Sequence, residues 1–314
     1  MNPENVESFF HWINERHLIY LKRMSGQPAP WTDDPILNRY KFTNPFREND
    51  RVTIWMRRNW TWPRDIEPLP LQIYNICLFR MFGTPEYAEA VGWQTEWNPT
   101  LLKSVARKRL NNKQKVFTGA YIITNQGLKQ PKEEVVVDYF LKPVWENSAL
   151  LAKCSERRSL EDMHKLLGKF RGWGGGGFMA YEAVTDMNHT PVLDRAEDGM
   201  TWANAGPGAK RGLNRIHDRS LTNGRADWNQ EMRELLDHKD YYLWDQDTFE
   251  VEETKNLYRN NVAAYRNVVD MRCIEHSLCE WDKYERVRLG QGRPRSKVSY
   301  KEGELYPLLE LDGV

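Results

Sequence analysis

Cysteine is scarce in this chain of 314 residues: Cys77, Cys154, Cys273 and Cys279 stand far apart, with no CxxC pair. That spacing argues against a zinc ribbon and against the disulfide framework of a small secreted domain. Long apolar runs are missing as well, so no membrane span is expected. Glu15, Arg16, Lys22 and Arg23 interrupt the apolar positions near the start, and no signal peptide is expected. The expectation is a soluble, cytoplasmic protein. Charge of one sign is also lacking. The formal net charge of +1 excludes a histone-like binder held by bulk charge, although not a local basic groove. The glycine tract Arg171-Gly172-Trp173-Gly174-Gly175-Gly176-Gly177 lacks the Gly-Lys-Ser/Thr of a P-loop, which argues against a kinase or ATPase. It has no preceding strand or surrounding βαβ unit, so a Rossmann fingerprint fails too.

What the chain has in quantity is aromatic side chains and helix signals. Thirteen Trp, fourteen Tyr and eleven Phe make up 12% of the residues, many beside Arg or Lys. That composition suits stacking on bases, although core packing claims most aromatics in any protein. Asn2-Pro3, Asn44-Pro45, Thr84-Pro85 and Asn98-Pro99 each place a capping residue before a proline, predicting helix starts. Val6, Phe9, Phe10, Ile13, Tyr20, Leu21 and Met24 recur at helical spacing up to Gly26, and a further helix is predicted from Leu69 to Phe82. Ser159 with Asp162 resembles a capping box, and a helix is predicted from Gly177 to Met187. The last third predicts helices near Trp228–His238, Val251–Val269 and Met271–Leu289. Val135 to Val137 continue into Tyr139, Phe140, Leu141 and Val144, favouring a core helix. The only plausible strand pair lies between Val116 and Val137, around Tyr121–Thr124 and a turn at Asn125-Gln126-Gly127. No fixed repeat or long linker is visible, so one compact helical unit over 1–314 is expected, with 1–155 and 156–314 as candidate sublobes.

Several segments can carry chemistry. Asn204-Ala205-Gly206-Pro207-Gly208-Ala209-Lys210-Arg211-Gly212-Leu213 is a Gly-Pro-Gly turn leading into a basic helix. Its amides and cations are suited to gripping phosphate, unless it is an ordinary helix start. The block Phe42 to Arg51 packs Arg47, Glu48, Asp50 and Arg51 into a predicted helix, with Arg47 and Arg51 sharing a face, as Arg51 does with Trp55. Two guanidiniums beside aromatics suit a pyrophosphate or a nucleotide backbone; an internal salt-bridge cluster is the alternative. On the helix after the glycine tract, Asp186 lies four residues beyond Glu182 and can turn inward with it. The densest set of reactive types runs from Ile274 to Tyr284: Glu275, Cys279 and Lys283 form one helical row, and His276, Glu280 and Tyr284 the next. Such a row can supply a general base tuned by a cation, or be an exposed salt-bridged face. It matches no zinc-ligand spacing, and no metal is expected. The basic run Lys103, Arg107, Lys108, Arg109, Lys113 and Lys115 is a candidate for non-specific duplex contact or a solvated face. Gly290 to Lys297 forms a second basic stretch.

Taken together, the blocks Pro30-Trp31-Thr32 to Arg51, Phe178 to Leu213 and Glu275 to Tyr284 resemble one phage family, the helix-hairpin-helix, glycosylase-like group tied to thymine hypermodification. Its members are called alpha-glutamyl/putrescinyl thymine pyrophosphorylases, or amino acid:DNA transferases, and the same fold accompanies 5-hydroxymethyluracil DNA kinases. The resemblance implies a mainly α, helix-hairpin-helix DNA glycosylase-like fold with at most a small β-hairpin. It implies an enzyme acting on double-stranded DNA whose modified thymine a separate kinase has pyrophosphorylated. An amino acid or polyamine amine would displace the pyrophosphate, with no cofactor. On that reading Gly206, Gly208, Lys210, Arg211, Arg107, Lys108 and Arg109 are the expected DNA contacts. Arg47, Arg51 and Lys283 are expected at the pyrophosphate. Glu275 and His276 are the expected bases; Cys279 is a candidate for addition to the pyrimidine ring, and Glu182 and Asp186 are the alternative centre. In lyase-type glycosylases a nucleophilic Lys falls at Lys210 and a catalytic Asp farther downstream, where this chain has Asn229, Gln230 and Glu231. That departure fits transfer at the 5-methylene, which leaves the glycosidic bond intact. A DNA glycosylase or lyase, and a non-catalytic DNA-binding module, are the competing readings.

Overall fold

Capping chemistry sets the helix starts. In the computed structural model, which describes residues 1–243, 269–292, 297 and 302–303, α1 (Pro3–Met24) opens on Asn2. Its side-chain oxygen accepts the Glu4 and Asn5 amides at 3.0 and 3.3 Å. Asp34 does the same for α2 (Pro35–Arg39), accepting from Ile36 and Leu37. Each cap satisfies amides that the first helical turn leaves without partners.

The helix expected from Asn44-Pro45 does not form. Residues Arg47–Asn49 make one 3-10 turn, and Asp50 is extended at φ −77° and ψ 135°. Helix α3 (Arg51–Trp55) begins after it and continues as a π-helical turn over Met56–Thr61. Asn44, Pro45 and Phe46 are consecutive and all buried, a span of about 200° that one face of a surface helix cannot bury. Arg47 and Arg51 therefore do not share a helix face, whereas Arg51 and Trp55 do.

The next stretch is helix after helix: α4 (Leu69–Phe82), α5 (Pro85–Val91), α6 (Pro99–Asn111), α7 (Lys132–Val135), α8 (Lys142–Glu146), α9 (Ser148–Ser155), α10 (Leu160–Leu167) and α11 (Phe178–Met187). Between α7 and α8 runs a second π-helical turn, Val136–Leu141. Val135, Val136 and Val137 are fully buried, as a core helix requires. The segment between α6 and α7 forms no strand pair, in contrast to the reading of 116–137. Its polar groups go to the end of α4 instead: Thr118 N–H donates to the Phe82 carbonyl, Thr84 Oγ1 to Val116, and Tyr121 Oη to Arg80. Among the described residues the only β pairing is an isolated bridge, Tyr40 to Lys297. Ser159 caps α10 as predicted, accepting the Asp162 amide, and Asp198 adds to it by accepting the Leu160 and Glu161 amides and the Ser159 hydroxyl.

The chain closes with α12 (Pro207–Ile216), α13 (Trp228–Asp237), α14 (Lys239–Tyr242) and α15 (Met271–Arg288). The predicted helix Val251–Val269 lies, apart from Val269, outside the described residues. The fold is mainly α, and no helix of the described residues is long and apolar enough to cross a membrane. Two compact units emerge, one from Met1–Arg47 with Ala205–Val314 and one from Glu48–Asn204; residue 155 lies inside the second. In the first unit Phe9 meets the fully buried Trp281 edge-on at 5.8 Å. In the second, Tyr74 of α4 meets Trp145 at 4.9 Å, and the buried Trp173 donates to the Phe140 carbonyl at 2.9 Å.

Because Asp198 accepts three hydrogen bonds at the start of α10, Asp198→Ala is expected to destabilise the protein by about 1–2 kcal/mol. Urea midpoints of the two proteins, compared at constant m-value, check this.

Candidate functional site

The Gly-Pro-Gly turn meets α15 at close range. The Gly206 N–H donates to Glu275 Oε1 at 3.0 Å, which places a carboxylate at the start of α12, where the helix dipole favours negative charge. Four residues apart on α12, Gly208 and Gly212 face α15. A Cβ at Gly208 would collide with the Cys279 sulfur, and one at Gly212 would lie 2.6 Å from the Leu278 carbonyl oxygen. These two glycines therefore serve helix packing. Gly206 has its amide bonded to a side chain of the same unit, where an outward-facing donor was expected.

Farther along the same contact, Asp282 is completely buried and holds three arginines. Arg211 Nε lies 2.9 Å from Oδ2, Arg286 Nε 3.4 Å from the same oxygen, and Arg215 Nε 3.0 Å from Oδ1. Arg215 also donates to Gln291 Oε1 at 2.8 Å. Lys210 points elsewhere, over the Trp228 ring at 5.6 Å, with Arg219 at an equal distance. Arg219 is clamped by Glu231 through two hydrogen bonds of 2.7 and 2.6 Å, and Asp227 caps α13 through the Gln230 amide.

A different face of α15 carries His276. Arg16 on α1 donates through Nε and Nη2 to the Phe42 carbonyl, fixing the strand-like segment that delivers Thr43. The Thr43 hydroxyl then hydrogen-bonds His276 Nε2, and the Thr43 amide donates to Glu280 Oε2 at 3.2 Å. Arg47 Nη1 lies 3.3 Å from Nδ1 and 3.4 Å from Nε2, so it rests against the imidazole rather than along one lone pair. Lys283 forms an ion pair with Glu280. Burial first, and then the charges of Arg47, Arg272 and Lys283, hold the His276 pKa well below 6.5. The ring is neutral at physiological pH and surrounded by cations. Tyr284 joins this face through its hydroxyl, which donates to Asp34 Oδ2 at 2.6 Å.

The two predicted rows are thus partly redrawn. Glu275 and Cys279 do share a face, against α12, but Lys283 pairs with Glu280 and belongs with His276. Burial, together with the Glu280 and Glu275 carboxylates, pushes the Cys279 thiol up to about 12. At neutral pH it is a protonated thiol packed under Gly208, the opposite of an activated nucleophile.

The second unit contains the remaining candidates. Glu182 and Asp186 share a face of α11, turned inward onto Arg80: Asp186 accepts Nε and Nη2 at 2.5 Å each, and Glu182 accepts Nη1 at 3.3 Å. With Asp186 and Arg80 both buried, this is an internal ion cluster. Arg51 is exposed at the first position of α3. On α6, Arg107 pairs with Glu133 and Glu134, Lys103 with Asp138, and Arg109 donates to the Lys115 carbonyl. Acids from the α7 region, distant in sequence, thus offset part of the basic run, while Lys108 stays exposed. Among the described residues no group of three or more His, Cys, Asp or Glu is arranged to hold a metal.

Sequence reasoning missed Thr43, Arg272, Arg215, Asp282 and Arg286. Arg272 lies one turn before His276, and Asp282 seven residues after Glu275, both spacings that keep a helical face. Gly208→Ala and Gly212→Ala are each expected to cost about 1–3 kcal/mol through overpacking. Adding Cys279→Ala should recover stability for Gly208→Ala, whose obstacle is a side chain. It should recover none for Gly212→Ala, whose obstacle is a backbone carbonyl. Thermal or urea midpoints of the four variants provide the comparison.

Comparison with known proteins places the chain in a family. A curated relative, the 5-hmdU DNA kinase of Bacillus phage SP10, is 24% identical over 297 residues, covering 88% of this chain and 44% of the phage protein. The chain therefore spans less than half the length of that relative. No solved structure matches. The family profile described as the 5-hmdU DNA kinase helical domain matches residues 3–293, nearly the whole chain. The chain belongs to the family of the 5-hmdU DNA kinase helical domain.

Proposed function

We propose that this protein acts in phage thymine hypermodification as an amino acid:DNA transferase. Its substrate is DNA bearing 5-pyrophosphoryloxymethyl-deoxyuridine. The observation that carries the reading is the imidazole of His276, held by the Thr43 hydroxyl and with Arg47 against the ring. Its pKa is lowered by burial and by Arg47, Arg272 and Lys283. A displacement at the 5-methylene needs both elements: a base for the incoming amine and fixed positive charge for the leaving pyrophosphate. The amine nitrogen bonds to the methylene carbon as the carbon–oxygen bond breaks. Pyrophosphate departs with the electron pair, and the amine proton passes to His276 Nε2, whose present partner is the Thr43 hydroxyl. The target base must leave the duplex stack for this to happen, at a cost of a few kcal/mol. Arg51 remains a separate proposal for an anion contact, made of the second unit by itself. Lys108, Lys210 and Arg211 remain proposed contacts to the DNA.

A second reading is favoured by coverage. The chain matches 44% of a protein named a DNA kinase, yet carries no Gly-Lys-Ser/Thr loop. In that reading it is a DNA-binding companion that presents the hydroxymethylated base to a kinase. Incubation with pyrophosphorylated DNA and a mixture of amino acids and polyamines, followed by mass spectrometry of the nucleosides, separates the two. Amine adducts support transfer; tight binding of the DNA without any adduct supports the companion role.

His276→Gln is expected to slow transfer at pH 7 by a factor of about 10², the low end of the usual worth of a general base, because a lowered pKa makes the ring a weaker one. Rescue should come near pH 10, where the amine is already deprotonated. Because the His276 pKa is lowered, the ring binds a proton only well below pH 6.5. The wild-type rate should therefore show no acid limb at 6.5 arising from this group. Arg47→Lys keeps the charge, loses the planar fork, and is expected to reduce turnover about 10- to 100-fold. Rate profiles between pH 5.5 and 10 measure both effects, and unchanged profiles would remove His276 from the reaction.

A further inference from the structure

The arginine cluster at Asp282 carries more positive charge than its folding role requires. Three guanidiniums converge on one carboxylate, and among the described residues Asp282 is the acid within ion-pair distance of all three. Arg215 is buried, with Nε on Asp282 and Nη2 on Gln291. Arg211 and Arg286 differ from it. Each reaches Asp282 Oδ2 through Nε, and their side chains are 36% and 37% exposed. Their η nitrogens carry no hydrogen bond to any described residue. Both guanidiniums thus stand within ion-pair distance of a single carboxylate oxygen. One carboxylate offsets one of the three positive charges, so the cluster keeps a surplus of positive charge. The other charged groups on the two helices do not offset it. Glu285 is engaged by Arg288, Glu280 by Lys283, and Glu275 binds the Gly206 amide.

We propose that Arg211 and Arg286 together form a binding site for one phosphodiester of the DNA backbone, and that the buried Asp282 is its positioning residue. Guanidinium η nitrogens in a fixed fork match two oxygens of a phosphate. Asp282 contributes by accepting a hydrogen bond from Arg211 Nε and holding Arg286 by charge at 3.4 Å, so that the outer donors are kept together at the surface. Arg286 lies on the last turns of α15 and Arg211 within α12. The site therefore occupies the α12–α15 contact, whereas His276 faces the Thr43 segment. The proposal rests on the DNA-acting reading only for the source of the phosphodiester and needs no transferase chemistry.

The test uses the full chain and an unmodified duplex, so its outcome is independent of any pyrophosphate reaction. Arg286→Gln is expected to reduce the slope of log K against log salt by about 1, the signature of one lost phosphate contact. Asp282→Asn is the sharper variant, because it raises the formal net charge of +1 by one unit. If the cluster acts only through charge, Asp282→Asn binds DNA more tightly; if Asp282 orients the forks, it binds more weakly despite the added charge. Circular dichroism establishes that each variant is folded. Should Asp282→Asn fail to fold, Arg286→Gln decides alone, since Arg286 is partly exposed and makes no hydrogen bond to Asp282. An unchanged salt slope in Arg286→Gln, or tighter binding by folded Asp282→Asn, overturns the proposal. A matched loss for inorganic phosphate as competitor would assign the site to free anions instead and overturn its assignment to DNA.

Discussion

The Glu275 and Asp282 contacts of the first unit depend on how near α12 comes to α15. Gly208 and Gly212 lack the one carbon that would hold the helices apart, and α15 fills the space with Cys279 and the Leu278 carbonyl. That proximity brings the Gly206 amide to Glu275 and lets Asp282 reach Arg211 and Arg215 on the opposite helix. Side chains on the two helices would need longer arms to bridge a wider gap, and Asp has one of the shortest. The α12 end of the contact is tied to α1 as well, because the Asn2 amide and Asn5 Nδ2 donate to the Ile216 and Arg215 carbonyls.

Charge is buried in both units, but with opposite balance. In the second unit one cation, Arg80, faces two carboxylates, Asp186 and Glu182, and the pair with Asp186 is bidentate. Removing one partner of such a buried pair typically costs about 3–5 kcal/mol, because the other charge is left uncompensated. That cluster is engaged in holding α4 to α11. In the first unit the ratio is reversed at Asp282, and the surplus cations are partly exposed. The His276 face follows the same pattern, with cations around a group whose own charge is suppressed. Carboxylates facing each other with an arginine between them stabilise a core, whereas cations in excess around a buried or neutral group leave room for an anionic partner.

Much of the helical architecture was legible in the sequence because it rests on local rules. Asn2-Pro3, Ser159 with Asp162, Gly83 after Phe82 and the triple valine all act within a few residues of where they stand. The failures have a different origin. The helix expected after Asn44-Pro45 was lost to three consecutive buried residues, and the strand pair near Tyr121 to hydrogen bonds with the end of α4, which are contacts made over long separations. The site shows the same division. The composition of α15 marked it as reactive, and its helical period grouped Glu275 with Cys279. Whether Cys279 is a thiolate or a packed thiol, and whether Glu182 faces a substrate or Arg80, depends on partners far away in the sequence. Asp282 follows the same rule, since two of its three arginines, Arg211 and Arg215, come to it only when α12 and α15 are brought together.

The division of the chain also has a bearing on its synthesis. The second unit is one continuous segment, 48–204, while the first is assembled from 1–47 and 205–314. Phe9 waits for Trp281 and Arg16 holds Phe42 near a histidine that is not yet made. At ribosomal rates of about 5–20 residues per second, that wait is on the order of tens of seconds. During this interval the amphipathic α1 has its apolar face without its final cover, while the inserted segment already possesses every residue of its own core. Order of emergence therefore favours the segment 48–204, and the unit carrying His276 and the arginine cluster is completed after it.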